Sequence, residues 1–234
     1  MPHFWVVGTD TDVGKTCITT LLMRQLQQHN FRTLPYKPVQ TGAVTEQGRT
    51  YYHDTKMYET YSLQKLNTAV LNSYSFKEPA SPHFAAHLEG QQIDQERLIQ
   101  HIQTLKQICD VVICEGAGGI MVPMEPEGKS TLLDVIVESC LPVVVVAHTK
   151  LGTINHTLLT LEALAARRVE VLGLVFNGHT QTAIEVNNIE TILHYQKLPY
   201  AVVPQLQNIQ QVIDYPIQHT SLFERLLQHE ASVN

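Results

Sequence analysis

The stretch GTDTDVGKT occupies residues 8–16 and directly follows the apolar run FWVV. Its last three residues, Gly14, Lys15 and Thr16, are the types a phosphate-binding loop uses. Backbone amides and a helix start face the anion, the lysine reaches the β- and γ-phosphates, and the hydroxyl ligates Mg²⁺. The regular form, Gly-x-x-x-x-Gly-Lys-Ser/Thr, needs glycine at position 9. This chain has Thr9 there, and Gly8 comes one residue too early. A plain helix start, with Asp12 as N-cap and Lys15 solvated, is the alternative, but the strand before the loop and the apolar helix CITTLLMRQL after it favour the phosphate loop.

Three other stretches carry chemistry-bearing residues. In YKPVQTG at 36–42, proline restricts its own backbone and that of Lys37, which suits a fixed cation aimed at a developing phosphoryl or carboxyl charge. Thr41 and Gly42 could donate to a substrate, although a solvated lysine at a strand end fits the same pattern. DVVICEGAGG at 110–119 leads an apolar run into Glu115 and a small-residue loop, Gly116, Ala117 and Gly118, that lets backbone approach a ligand. An acid at a buried strand end is costly unless paired or metal-bound, and in phosphate-loop proteins it helps to hold Mg²⁺. A turn or N-cap carboxylate is the plainer alternative, and Asp54 is a possible second acid. KLGTINHTLLTLEAL at 150–164 reads as a helix whose N-terminus could receive a carboxylate, or is simply capped. His83 and His87 have the spacing of a metal pair but lack the intervening glutamate and a third ligand. No G-x-S-x-G nucleophile occurs.

Elements must place these residues together. The 234 residues suffice for one large α/β domain, and 44% hydrophobic residues can bury a sizeable core. A net charge of −6 without a basic block offers no footprint for nucleic acid or a membrane surface. The apolar runs are too short to span a bilayer and the N-terminus lacks signal-peptide features, so a soluble cytoplasmic protein is expected. The four cysteines show no C-x-x-C pair; each has an apolar neighbour, which predicts buried, reduced thiols. Strands are expected at 3–8, 33–39, 110–115, 142–147, 170–176 and 200–203. Helices are expected near 14–29, 94–107, 130–139, 154–167, 183–196 and 219–229. Nearly continuous apolar strands alternating with helices predict an α/β fold, a mostly parallel sheet with helices on both faces. Chemistry then gathers at the carboxyl ends of the strands. Residues 43–93, with many tyrosines and the turn-rich KEPASPHF, read as an insertion with helical pieces within one domain spanning 1–234.

In order along the chain, GTDTDVGKT, YKPVQTG, SPHFAA, EGAGGIMVP, LPVVVVAHTKLGTINHTLLT and GLVFNGH resemble the ATP-dependent dethiobiotin synthetases of biotin biosynthesis, a family of the P-loop NTPase type. That family's own phosphate loop has the longer glycine spacing. The resemblance implies that Asp12, Val13, Gly14, Lys15, Thr16 and Cys17 hold the ATP phosphates. Thr16, Asp54 and Glu115 would ligate Mg²⁺, with Asp54 placed by spacing. Gly116, Ala117 and Gly118 would line the nucleotide site; Asn177, Gly178 and the Pro204, Gln205, Leu206 stretch would hold the adenine.

Lys37 and Lys15 would be the catalytic lysines, and Thr11 and Thr41 substrate contacts. Gly152, Thr153, Ile154 and Asn155 would take the substrate carboxylate across a homodimer interface. The implied reaction joins 7,8-diaminononanoate and CO₂ (or bicarbonate) with ATP, through a carbamate and its mixed anhydride with phosphate, to dethiobiotin, ADP and phosphate. Asp10 and Asp12 are then expected to face Mg²⁺, water or the substrate amines. QNIQQV after residue 206 departs from the family's acidic, proline-containing stretch, and 180–199 offers no motif for a partner-subunit contact. Amidotransferases that make cobyrinic acid diamide would need a further glutaminase domain. Partitioning ATPases carry a lysine near the loop start, where this chain has Asp10, and lack a KPV strand.

Overall fold

Val143–His148 and Phe4–Gly8 are apolar on both faces because both faces are covered. In the computed structural model, which describes residues 2–228, they lie at the middle of a seven-stranded sheet. The strands are β1 (Phe4–Gly8), β2 (Thr33–Thr41), a hairpin of β3 (Val44–Glu46) and β4 (Arg49–Tyr51), β5 (Asn72–Phe76), β6 (Val111–Gly119), β7 (Val143–His148), β8 (Val171–His179) and β9 (Tyr200–Pro204). The main sheet runs β5-β2-β6-β1-β7-β8-β9, and its pairs are all parallel.

Helices α1 (Lys15–Gln28), α2 (His53–Tyr61), α8 (Ile209–Ile213) and α9 (Ser221–Gln228) contribute to one core, built on Phe4, Val6, Ile113 and Val144. Helices α3 (Pro82–Leu88), α4 (Gln95–Ile108), α5 (Leu132–Ser139), α6 (Thr153–Ala166) and α7 (Ala183–Tyr195) pack on the other, built on Trp5, Val7, Cys114 and Val145. Successive strand residues point to opposite faces, so Phe4 and Trp5 divide between the two cores. Local signals end the helices. A capping box between Thr131 and Asp134 opens α5, and Asn30, at φ 65°, turns the chain out of α1.

The structure differs from the sequence reading in three places. Strands β2, β6 and β8 run to Thr41, Gly119 and His179, beyond the expected ends at 39, 115 and 176. Residues 43–93 contain helical pieces but also an edge strand of the main sheet, β5. Its sequence, NSYSF, alternates polar residues with two aromatics because only Tyr74 and Phe76 are buried. The expected burial of all four thiols fails: Cys109 and Cys114 are buried, Cys17 is half-buried, and Cys140 is exposed at the left-handed end of α5. Residue 229 of the expected last helix lies outside the described residues.

Gly173 fixes how the last elements dock. A Cβ there would come within 2.4 Å of the Pro199 carbonyl oxygen and 2.8 Å of Leu222 Cδ1. The same carbonyl accepts from the Leu174 amide at 2.9 Å, so it cannot retreat freely. Gly173→Ala is expected to destabilise the fold by about 1–3 kcal/mol through overpacking, read as a lower urea midpoint at unchanged slope.

Candidate active site

The site forms where two neighbouring strands part. β2 pairs with β6 from Thr33 to Tyr36, opposite Val111 to Cys114. From Lys37 onward it pairs with β5 instead, while β6 continues beside β1. Pro38, which has no N–H to give, falls just after this change of partner. Lys37 and Glu115 are thus the first residues past the last β2–β6 pair and face each other, Nζ to Oε1 at 2.7 Å. Both lie inside strands rather than at the strand ends expected from sequence.

Four more oxygens and two hydroxyls complete the cluster. Lys37 Nζ also donates to Asp54 Oδ2 at 2.8 Å and to the Gly116 carbonyl at 3.2 Å, which satisfies its three N–H groups. Thr16 Oγ1 lies 2.8 Å from Asp54 Oδ1 and 2.7 Å from Glu115 Oε1. The Tyr58 hydroxyl donates to Glu115 Oε2. Burial alone would push the Lys37 ammonium down, but Glu115 and Asp54 hold it above its ordinary value. Burial pushes the Asp54 carboxyl up, and Lys37 more than reverses this. Burial, then the Glu115 charge, raises Tyr58 well above the usual phenol range, so it remains a donor. Burial, with Lys37 beside it, pulls Lys15 down to about 8.

The loop from Gly8 to Gly14 explains the unusual glycine spacing. Thr9 donates its amide to Val146 O at 3.0 Å, extending the edge of β1, and needs no glycine there. Gly8 does need to be glycine. A Cβ at position 8 would meet Asp10 O and Val13 Cγ2 at 2.8 Å and Lys15 Nζ at 2.9 Å. The loop folds back over Gly8, and Lys15 Nζ donates to Asp10 O at 2.8 Å. Gly14 has φ 93°, and a Cβ there would come within 2.1 Å of Asn177 Nδ2. That nitrogen donates to Val13 O at 3.0 Å, so Asn177 braces the loop. Asp12 adopts φ 58° and lines the cavity. Asp10, expected to face Mg²⁺, water or the substrate amines, is exposed to solvent; its Oδ1 accepts from the Thr11 amide at 2.7 Å and its Oδ2 lies 3.9 Å from His156 Nδ1. A short acidic side chain finds its nearest donors in its own turn.

A cavity of about 540 Å³ opens over this cluster, lined by Thr11, Lys15, Thr16, Lys37, Thr41, Asp54 and Glu115 among others. Cys17, Ala117 and Gly118 line it too, and Gly116 takes part through its carbonyl. Thr11, Thr41, Gly118 and the turn Pro79–Pro82 bound an adjoining cavity of about 420 Å³. A third, about 410 Å³, sits at the ends of β8 and β9 between His179–Gln181 and Pro204–Gln207. Gly178 precedes it at φ 76°. Gly152, at φ 93°, starts α6; Thr153 is buried with its hydroxyl on His148 O at 2.6 Å. Gly152, Thr153, Ile154 and Asn155 lie outside the lining of the cavity over Lys37.

Among the described residues no group of three or more His, Cys, Asp or Glu side chains could hold a metal ion. Sequence reasoning missed Tyr58, whose signal was its position one helical turn after Asp54. It also missed Glu185, which is buried in α7. Glu185 Oε1 accepts from Thr149 Oγ1 at 2.8 Å, and Oε2 accepts from Thr180 N and Oγ1 at 2.7 and 2.6 Å. This carboxylate ties the end of β7 to the wall of the third cavity.

A family model described as an AAA domain matches residues 3–213. The chain is 63% identical over 234 residues, the whole of both sequences, to the ATP-dependent dethiobiotin synthetase BioD of Lysinibacillus sphaericus. It is 37% identical over 213 residues to the ATP-dependent dethiobiotin synthetase BioD of Halalkalibacterium halodurans, covering 90% of this chain and 87% of that one. The cell division ATPase MinD of Pyrococcus furiosus matches it with a TM-score of 0.60 over 97% of this chain and 99% of its own. At 13% identity that likeness is one of fold alone.

Burial pushes the Glu185 carboxyl up, but hydrogen bonds from Thr180 and Thr149 outweigh it and hold it at about 2, against an ordinary 4.5. The folded value is the lower one, so this stabilisation is complete above the ordinary value and is lost as pH falls through about 2. Glu185→Gln is expected to lower the urea midpoint at neutral pH. The gap to the parent chain should narrow steadily as acid is added below the ordinary glutamate range. A gap that stays constant would show that folding does not depress this carboxyl.

Proposed function

The chain belongs to the ATP-dependent dethiobiotin synthetase family, and from that membership we propose how its residues divide the work of an ATP-driven ring closure on 7,8-diaminononanoate. One observation carries the assignment. Thr16, Lys37, Asp54 and Glu115 come from four different elements and meet within hydrogen-bond distance at the carboxyl edge of the sheet.

The loop amides from Asp12 to Cys17 and the start of α1 receive the ATP phosphates, with Lys15 against the transferring group. The donor set of one hydroxyl and two carboxylates is all hard oxygen, which fits Mg²⁺. So small a protein set suits an ion that also leans on substrate phosphates. Thr16, Asp54 and Glu115 would hold it, and when bound it supplies positive charge beside the phosphate oxygens. Asn177, Gly178 and Pro204–Leu206 flank the adenine, with the cavity at the ends of β8 and β9 in support.

The diamine lies in the adjoining space between Thr11, Thr41 and Gly118. One amine takes up CO₂ as a carbamate, and a carbamate oxygen attacks the γ-phosphorus as ADP leaves. The second amine then attacks the carbamoyl carbon, and phosphate departs with closure of the ureido ring. Lys37, charged and buried, is the cation available where an anionic carbamate meets an anionic phosphate. No covalent nucleophile is required. Burial, then the Glu115 charge, raises the Cys17 thiol, which keeps it protonated and inert.

The chain works as one unit and as a homodimer in the cytoplasm, each copy offering residues 152–155 to its partner's substrate. Leu151, 87% exposed, and Leu159, 55% exposed, support such a contact beside α6. The described residues contain no helix long and apolar enough to cross a membrane.

Purified protein is expected to form ADP only when diaminononanoate and bicarbonate are both present; equal ATP turnover without the diamine would replace the synthetase reading with a nucleotide switch. Lys37→Gln is expected to lose about 10²–10³-fold in kcat while ATP binding, followed by calorimetry, stays within a few-fold. Near-normal turnover would remove Lys37 from the chemistry.

A further inference from the structure

We propose that Tyr58 is a positioning residue that holds the Glu115 carboxylate in the orientation presenting Oε1 to Thr16 and to the metal. The inference rests on reading Glu115 as a metal-holding carboxylate. Glu115 is fully buried on β6, and its two oxygens have different partners. Oε1 faces Thr16 and Lys37, the groups around the cavity. Oε2 takes the hydroxyl of Tyr58, which is itself fully buried. A carboxylate with donors on both oxygens cannot rotate without breaking one of them, so the phenol sets which oxygen faces the cavity. Without it, Oε2 is buried with no donor and the carboxylate can turn toward Lys37 alone.

The helix carrying Tyr58 strengthens the inference. Asp54 and Tyr58 stand one turn apart on the same face of α2, so a single helix supplies one carboxylate and aims the other. The far end of α2 is fastened to α1. Arg24 Nη1 donates to Tyr61 O at 3.0 Å, Gln27 Nε2 to Ser62 Oγ at 2.9 Å, and the Leu63 amide to Gln27 Oε1 at 2.7 Å. α1 also begins with the Lys15–Thr16 pair. One packed pair of helices therefore sets the mutual placement of Thr16, Asp54 and Tyr58, and Tyr58 passes that placement to the strand bearing Glu115. Groups that orient metal ligands from behind are commonly worth about 10–100-fold in metal affinity.

The test is a double-mutant cycle on the full chain with ADP bound, reading Mn²⁺ affinity by electron paramagnetic resonance. Tyr58→Phe is expected to weaken Mn²⁺ about 10–100-fold, and the same change in the Glu115→Gln background should add no further loss. A general structural role would instead give equal losses in both backgrounds and overturn the proposal, as would unchanged affinity in Tyr58→Phe. If Glu115→Gln alone binds Mn²⁺ like the parent chain, the metal reading of Glu115 falls and the proposal with it, an outcome recognisable by that variant alone. If Tyr58→Phe does not fold, recovery of folding on adding Glu115→Gln shows the same coupling, and no recovery overturns it.

Discussion

A buried ammonium needs anions around it, and this requirement organises the centre of the molecule. Lys37 is almost wholly enclosed, and only the paired carboxylates of Asp54 and Glu115 make its charge tolerable there. Removing one member of such a group leaves an uncompensated buried charge, which costs about 3–5 kcal/mol. The cluster therefore dictates where β2 and β6 stop pairing, because the sheet must open to admit three side chains between them. It also dictates where α2 sits, because Asp54 has to arrive from that helix. The arrangement that makes the fold tolerate Lys37 is the one that leaves a cation and two carboxylates at the floor of a cavity.

Tight backbone packing in the phosphate loop follows from the same crowding. Lys15 folds back over Gly8, and Asn177 reaches across from β8 to touch Gly14, so the two glycines that flank the loop are sites of contact from above and below. Thr9, between Gly8 and the turn, merely prolongs β1 and carries no such restriction. The longer glycine spacing is thus a different way of making room for the same lysine. The brace from Asn177 also links the loop to β8, whose end forms the wall of the cavity fixed by Glu185.

Much of this was legible in the chain. The continuous apolar runs at Phe4–Gly8 and Val143–His148 foretold a sheet covered on both faces, and the residues after each strand foretold the site at the carboxyl edge. Lys15, Thr16, Lys37 and Glu115 stood out through their motifs taken together in order along the chain, since each alone had a plainer local reading. Tyr58 was marked only by standing one helical turn after Asp54, and nothing about a glutamate inside a helix announces that it will meet Thr149 and Thr180 in the loops after two strands. β5 escaped for a related reason: an edge strand with one buried face carries only two large apolar residues, too few to form a run.

What the sequence determined by itself was periodicity and local chemistry: which of the longer segments are strands and helices, where the loop turns, and which residues are fit to meet phosphate. These depend on neighbours along the chain, and their physics acts over one or two turns. The tertiary structure alone decided partnership. It set Lys37 between two carboxylates rather than in solvent, brought Asp54 into the site from a segment with no motif of its own, gave Glu115 a different donor on each oxygen, and showed why glycine is needed at position 8 and not at 9. Most of those outcomes turn on contacts between residues far apart in the chain, where burial and charge compensation act through space and leave no spacing to read.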